Sequence, residues 1–146
     1  MAQPKNVEEF HAVAALILDQ LLRAFPLSSD LDILAIAKEM GLANRTDKLE
    51  SGRSLEQIAS ATNSWLIDNG YIAPHNLELP GNRRVLTAKG LTGLNYVPKP
   101  DGVTISEKIE AQKPVASTAE GKSKLSELIG EMIGAGLASF TKTISS

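Results

Sequence analysis

Apolar residues recur every three or four positions near the start of the chain: Val7, Phe10, Val13, Ala14, Ile17, Leu18, Leu21 and Leu22. That rhythm predicts an amphipathic helix with a wide buried stripe. Asn6 is its expected cap, with Glu8 and Glu9 near the positive end of the helix dipole. Phe25-Pro26 is its expected stop, because the residue before a proline disfavours helical dihedrals. A second helix is expected from Leu31, Ile33, Leu34, Ile36, Ala37 and Met40, capped from Ser28, Ser29 or Asp30 and closed by Gly41. Residues 43–53 are polar and read as a loop. Ser54 and Gln57 then form a capping box for a third helix, whose inner side holds Leu55, Ile58, Ala59, Thr62, Trp65 and Leu66. Asn69-Gly70 ends it.

Two short strands follow, Tyr71 to Ala73 and Arg83 to Leu86, around a turn at Pro80-Gly81-Asn82. Thr87 caps a fourth helix carrying Leu91, Leu94 and Val97, closed by Pro98. Residues 99–122 hold Pro, Gly, Lys, Ser, Thr and Glu in no apolar rhythm, and read as a linker. From 123 onward, Leu125, Leu128, Ile129, Met132, Ile133, Leu137, Phe140 and Ile144 fall on one face of a last helix. The expected organisation is a domain over 1–98, a linker over 99–122 and an amphipathic, glycine-rich helix over 123–146.

Composition narrows the chemistry. The 146 residues are 42% hydrophobic but only 4% aromatic, so aliphatic side chains must build the core. The absence of Cys excludes a disulfide framework and thiolate metal sites, and fits a reducing cytoplasm. Two isolated histidines, His11 and His75, do not make a metal centre. No Gly-rich phosphate loop or nucleophile–base pair appears, so the expectation is a non-enzymatic protein without a cofactor. Asp30 and Asp32 suit helix capping better than acid–base work. The apolar run near the N-terminus is broken by charged residues, unlike a signal peptide. No stretch reaches the ~18 continuous apolar residues of a membrane span.

The order helix–helix–helix–hairpin, with WLIDNGYI leading into VLTAKGL, resembles the winged helix-turn-helix superfamily, of which the MarR-type and PadR-type regulators are familiar members. In that pattern Leu66, Gly70 and Ile72 close the third helix and open the wing, and Leu86, Thr87 and Gly90 open the following helix. Together with FPLSSDLDI the match also looks like a group of bacterial winged-helix proteins. The resemblance covers roughly residues 5 to 98. It implies a mainly α fold of three helices, a β-hairpin wing and a following helix. It further implies either a DNA-binding transcriptional regulator, commonly dimeric, or a winged module that binds protein instead.

A DNA-reading third helix must offer polar groups to base edges and cations to phosphates. Gln57, Ser60, Asn63 and Ser64 are the candidates for the first role; Arg45, Lys48, Arg53, Arg83, Arg84 and Lys89 are those for the second. No Lys or Arg lies between Ser54 and Asn82, whereas Glu56, Asp68 and Glu78 do, and the formal net charge is -2. A DNA-binding domain usually shows a basic excess, so the protein-interaction alternative stays open. Of the wing arginines, one is expected outward and the other packed along its stem. Trp65 and the tyrosines Tyr71 and Tyr96 read as structural.

The C-terminal helix carries Gly130, Gly134 and Gly136 in its interior. Each costs roughly 1 kcal/mol relative to Ala, so the helix needs an outside contact. Homo-oligomerisation or docking of a protein partner on Leu125, Leu128, Ile129, Met132, Ile133, Leu137 and Phe140 is the first expectation. Docking within the chain is the second, and a membrane surface the last, because Glu127 and Glu131 would repel anionic lipid.

Overall fold

The computed structural model describes residues 4–75, 83–98 and 102–145, with side chains as far as 135. The expected turn at Pro80-Gly81-Asn82 and the side chains of Leu137, Phe140 and Ile144 lie outside the described residues. The protein is mainly helical with a small three-stranded antiparallel sheet. In chain order it runs α1 (Lys5–Ala24), β1 (Ser29–Asp30), α2 (Ile33–Glu39), α3 (Leu55–Asp68), β2 (Ile72–Pro74), β3 (Arg83–Leu86), α4 (Ala88–Leu94), α5 (Ile105–Gln112) and α6 (Ala119–Ser145). A single 3-10 turn, Lys113–Val115, precedes α6. The strand order is β1-β3-β2, with Asp30 opposite Arg83 and Ile72 opposite Leu86.

Local sequence accounts for most of these boundaries. Ser54 and Gln57 form the expected capping box on α3, each side chain bonded to the other's backbone amide. The Thr87 hydroxyl accepts from Gly90 N and starts α4. Gly41 and Gly70 adopt φ near +80° where the chain leaves α2 and α3 (81° and 80°), a conformation glycine reaches without penalty. Gly90 has a second constraint: a Cβ there would run into the Tyr71 carbonyl oxygen. The loss of a side chain lets α4 seat directly on the chain leaving α3.

Some expectations are corrected. Asn6 does not cap α1; Pro4 occupies that position, with its carbonyl accepting from Val7 and Glu8. Ser29 and Asp30 do not begin a helix but pair with β3, and Asp32 caps α2 by accepting from Ala35 N at 3.0 Å. The sheet edge takes these residues because β3 offers an unpaired ladder of backbone groups.

Within the expected linker over 99–122, the described residues 102–122 are not an open chain. Thr104 and Glu107 make a second capping box, and Ile105 and Ile109 bury one face of α5 completely. Ala116 is buried as well, and α6 begins at Ala119, with Thr118 accepting from Gly121 N. The apolar face of α6 lies on α1. The helices run antiparallel, since Lys113 meets Asp19 while Ser126 meets His11. Leu125, Leu128, Ile129 and Met132 are buried in this contact, and Ile133 is packed against it. These residues, first expected to meet a partner chain, are used by the core of their own chain. Gly93 permits the approach of α4 to α6, because a Cβ there would run into the Met132 side chain.

Candidate nucleic-acid interface

The core presents α3 by one side only. Leu55, Ile58, Ala59, Thr62 and Leu66 face inward, and the Thr62 hydroxyl is satisfied by the Ile58 carbonyl at 2.6 Å. Gln57, Ser60, Ala61, Ser64 and Asp68 are exposed. Asn63 and Trp65 are half-buried at the two flanks of this strip. Trp65 is not a core residue in full: it stacks on Tyr71 at 6.0 Å and meets the edge of Phe10 at 5.1 Å. Burial pushes the Tyr71 phenol above its ordinary pKa, which suits a packing role.

The polar loop before α3 is folded onto its first turn. The Asp47 carboxylate accepts from the amides of Ala43 and Asn44, both at 3.0 Å. Leu55 N bonds to Asp47 O and Glu56 N to Arg45 O, while Lys48 bridges Ser54. Leu49 is buried beneath, and the Glu9 carboxylate of α1 holds Ser51 N at 3.0 Å. These ties gather Arg45, Lys48 and Arg53, all exposed, around the N-terminus of α3.

Other segments supply the remaining cations. Arg84 Nε donates to the Asn63 side-chain oxygen at 3.2 Å, midway along α3. Lys89 Nζ donates to the Asn69 carbonyl at 2.8 Å, at the end of α3, and sits 4.5 Å from the centre of the Tyr71 ring. Arg83 turns away: among the described residues its guanidinium donates to Ser28 alone, at 3.0 Å and 2.9 Å. Tertiary structure therefore brings Arg45, Lys48, Arg53, Arg84 and Lys89 to one helix and leaves Arg83 on the β1 side of the sheet.

Several of these cations are already engaged. Arg45 pairs with Glu56 at 3.0 Å, both side chains being about half exposed. An exposed pair of this kind is worth roughly 0–1 kcal/mol, so a phosphate can replace the carboxylate at small cost. Among the described residues, no ion pair or hydrogen bond engages the Lys48 or Arg53 side chains. Arg53 and Gln57 edge an open groove of about 460 Å³ between α1 and α3, floored by Phe10, Ile58, Ala61 and Trp65.

Two polar clusters away from α3 escaped the sequence reading. Asp19, buried in α1, accepts from Lys113 Nζ at 2.7 Å and from Arg23 Nε at 3.1 Å. Lys113 also lies 3.6 Å from Glu39, so α1, α2 and the turn before α6 meet at one ammonium group. His11 Nδ1 and Ser126 Oγ share a hydrogen at 2.9 Å across α1 and α6, and burial lowers the imidazole pKa from 6.5. The available signal for Asp19 was its position on the buried stripe of α1, in step with Ala12 and Leu16. Glu9 carried the same signal; it is 4% exposed, and its second oxygen meets no donor among the described residues. Each such carboxylate already serves a structural amide or ammonium group.

No group of three or more His, Cys, Asp or Glu capable of holding a metal occurs among the described residues. No helix there is long and apolar enough to cross a membrane. Comparison with family models, curated proteins and solved structures finds no match to this chain.

Proposed function

We propose that the chain is a non-enzymatic winged-helix protein that binds duplex DNA, as a transcriptional regulator does, with α3 in the major groove and the β2–β3 wing beside it. The element order α1–β1–α2–α3–β2–β3 and the sheet order β1-β3-β2 support the fold part of this reading. One observation carries the functional part: cations from the 43–53 loop, β3 and α4 converge on α3, whose exposed face is polar and uncharged between Glu56 and Asp68 at its two ends. A helix with such a strip can enter a groove while the cations at its ends and flank meet phosphates.

The test is a titration of the full chain with duplex DNA over a range of salt. Binding that weakens steeply with salt is expected, its logarithmic slope falling by about 0.9 for each phosphate-contacting cation removed. Binding absent even at low salt removes the proposal.

A second reading has its own observation. Glu56 and Asp68 stand at the two ends of the α3 strip, and Glu56 already holds Arg45. The same strip then serves as a docking platform for a protein. It predicts a co-purifying protein that is lost when Ser60 and Ser64 are replaced by bulky residues, with duplex DNA having no effect.

A further inference from the structure

We infer that the Arg45–Glu56 ion pair reads one G·C base pair in the major groove at the start of α3; this rests on the DNA-binding proposal above. The first turns of a recognition helix are the ones that meet base edges. Glu56 lies in the first turn of α3, and its amide donates to the Arg45 carbonyl at 2.9 Å. Arg45 Nη2 in turn donates to Glu56 Oε1 at 3.0 Å, so the two residues are tied through backbone and side chain alike. Both side chains remain about half exposed. On the same side of the helix, Ser60 and Asn63 follow at i+4 and i+7, with Arg84 bonded to Asn63.

Only side chains that hydrogen-bond in one direction select a base by themselves. Gln57, Ser60, Asn63 and Ser64 both donate and accept, so they suit every base. A guanidinium only donates, and a carboxylate only accepts. Among the described residues, Arg45 keeps Nε, Nη1 and one Nη2 hydrogen free, and Glu56 keeps Oε2. Arg84 spends Nε on Asn63 and Nη1 on the Arg83 carbonyl. Arg53 is a one-way donor too, but no partner among the described residues fixes its direction. Asp68 stands twelve residues beyond Glu56, roughly 18 Å along the axis at 1.5 Å per residue, and so lies past those first turns.

A G·C pair presents guanine N7 and O6 as adjacent acceptors, followed by the N4 donor of cytosine. Two Arg45 donors and the Glu56 carboxylate match that order, with three bonds in all. An A·T pair places one donor, adenine N6, between two acceptors. The ion pair then finds a single acceptor beside the donor and makes two bonds. Exchanging Glu56 for a phosphate costs little within the protein, but it turns a bare carboxylate toward the DNA backbone. A G·C pair uses both halves with the ion pair intact.

The experiment selects duplexes from a random library with the full chain at low salt, then titrates the selected site and its variants. One position is expected to be G·C, bound about tenfold more tightly than A·T there. 7-Deazaguanine at that position removes N7 alone and should weaken binding about fivefold, as the loss of one hydrogen bond does. Inosine keeps the whole major-groove edge and should bind as guanine does. Arg45→Ala should remove the preference at that position and leave the rest of the site unchanged; Glu56→Ala should weaken it. Circular dichroism checks the folding of both variants, and the base analogues need no variant. An equal loss on every sequence for Arg45→Ala makes Arg45 a phosphate contact; it overturns the inference and leaves DNA binding standing. A selected site without such a position, or indifference to 7-deazaguanine, does the same. No duplex selected at all overturns the DNA proposal and this inference together.

Discussion

α3 and α6 are both amphipathic helices, yet the chain uses their faces in opposite ways. α6 lays its apolar side on α1, and Leu125, Leu128, Ile129 and Met132 disappear into the core. α3 buries one side in the same core and leaves Gln57, Ser60, Ala61 and Ser64 uncovered. An apolar stripe announces that something must cover it, because exposed apolar area is costly. It does not say whether the cover comes from the same chain or from another. An exposed polar strip carries no such demand, so its use depends on what surrounds it. Around α3, those surroundings are cations drawn from distant parts of the sequence.

The strongest way to break this contrast is in the α6 core. Leu125→Ala removes a fully buried side chain and should destabilise the fold by about 2–5 kcal/mol, read by chemical denaturation. Unchanged stability with a changed oligomeric state would return the face of α6 to a partner. Asp19→Ala comes next. It leaves the half-buried Lys113 beside Glu39 alone and should cost about 2–3 kcal/mol, less than a fully buried pair because Lys113 keeps some solvent. A loss below about 0.5 kcal/mol would mean that the ammonium group does not hold the approach to α6.

Substitutions along α3 should behave differently. Arg53→Ala should move the melting temperature little, within about 0.5 kcal/mol of stability, because its side chain is exposed and unpaired among the described residues. On the DNA-binding proposal, the same change should also reduce the salt slope of binding, by about 0.9 if Arg53 meets one phosphate. A large stability loss with an unaltered slope would make it a packing residue.

The smallest effect concerns acid. Burial lowers the pKa of His11, so the unfolded chain binds its proton more readily than the folded one. Stability from this group is full above pH 6.5, the ordinary value, and is lost as the pH falls through its folded value. His11→Asn should flatten that part of the stability profile, measured as melting temperature from about pH 7 to about pH 5. A profile unchanged by the substitution would show that the α1–α6 contact does not sense the proton.

Much of the fold was legible where the cause is local. Ser54 with Gln57, Thr87, Gly41 and Gly70 mark boundaries that depend on a few neighbouring residues. The stripe of α1 was legible because its burial repeats every helical turn. α5 was missed although Thr104 and Glu107 spell the same capping box as Ser54 and Gln57. Its apolar signal is only Ile105 and Ile109, set in a stretch with the composition of a linker. β1 was missed because a two-residue strand has no period to detect.

The site divides in the same manner. The exposed polar face of α3, from Glu56 to Asp68, followed from helical spacing alone. The meeting of Arg84 with Asn63, of Lys89 with Asn69 and of Arg83 with Ser28 did not, since each joins residues far apart in the chain.

By itself the sequence determined the helices with strong rhythm, their caps and the left-handed glycine turns, because these arise from backbone sterics and hydrogen bonds within a few residues. Only the tertiary structure decided that α6 covers α1, that Asp19 waits for Lys113, and which cations border α3. Those outcomes depend on long-range packing, in which an apolar face or a charge accepts whichever complementary group the folded chain brings within reach.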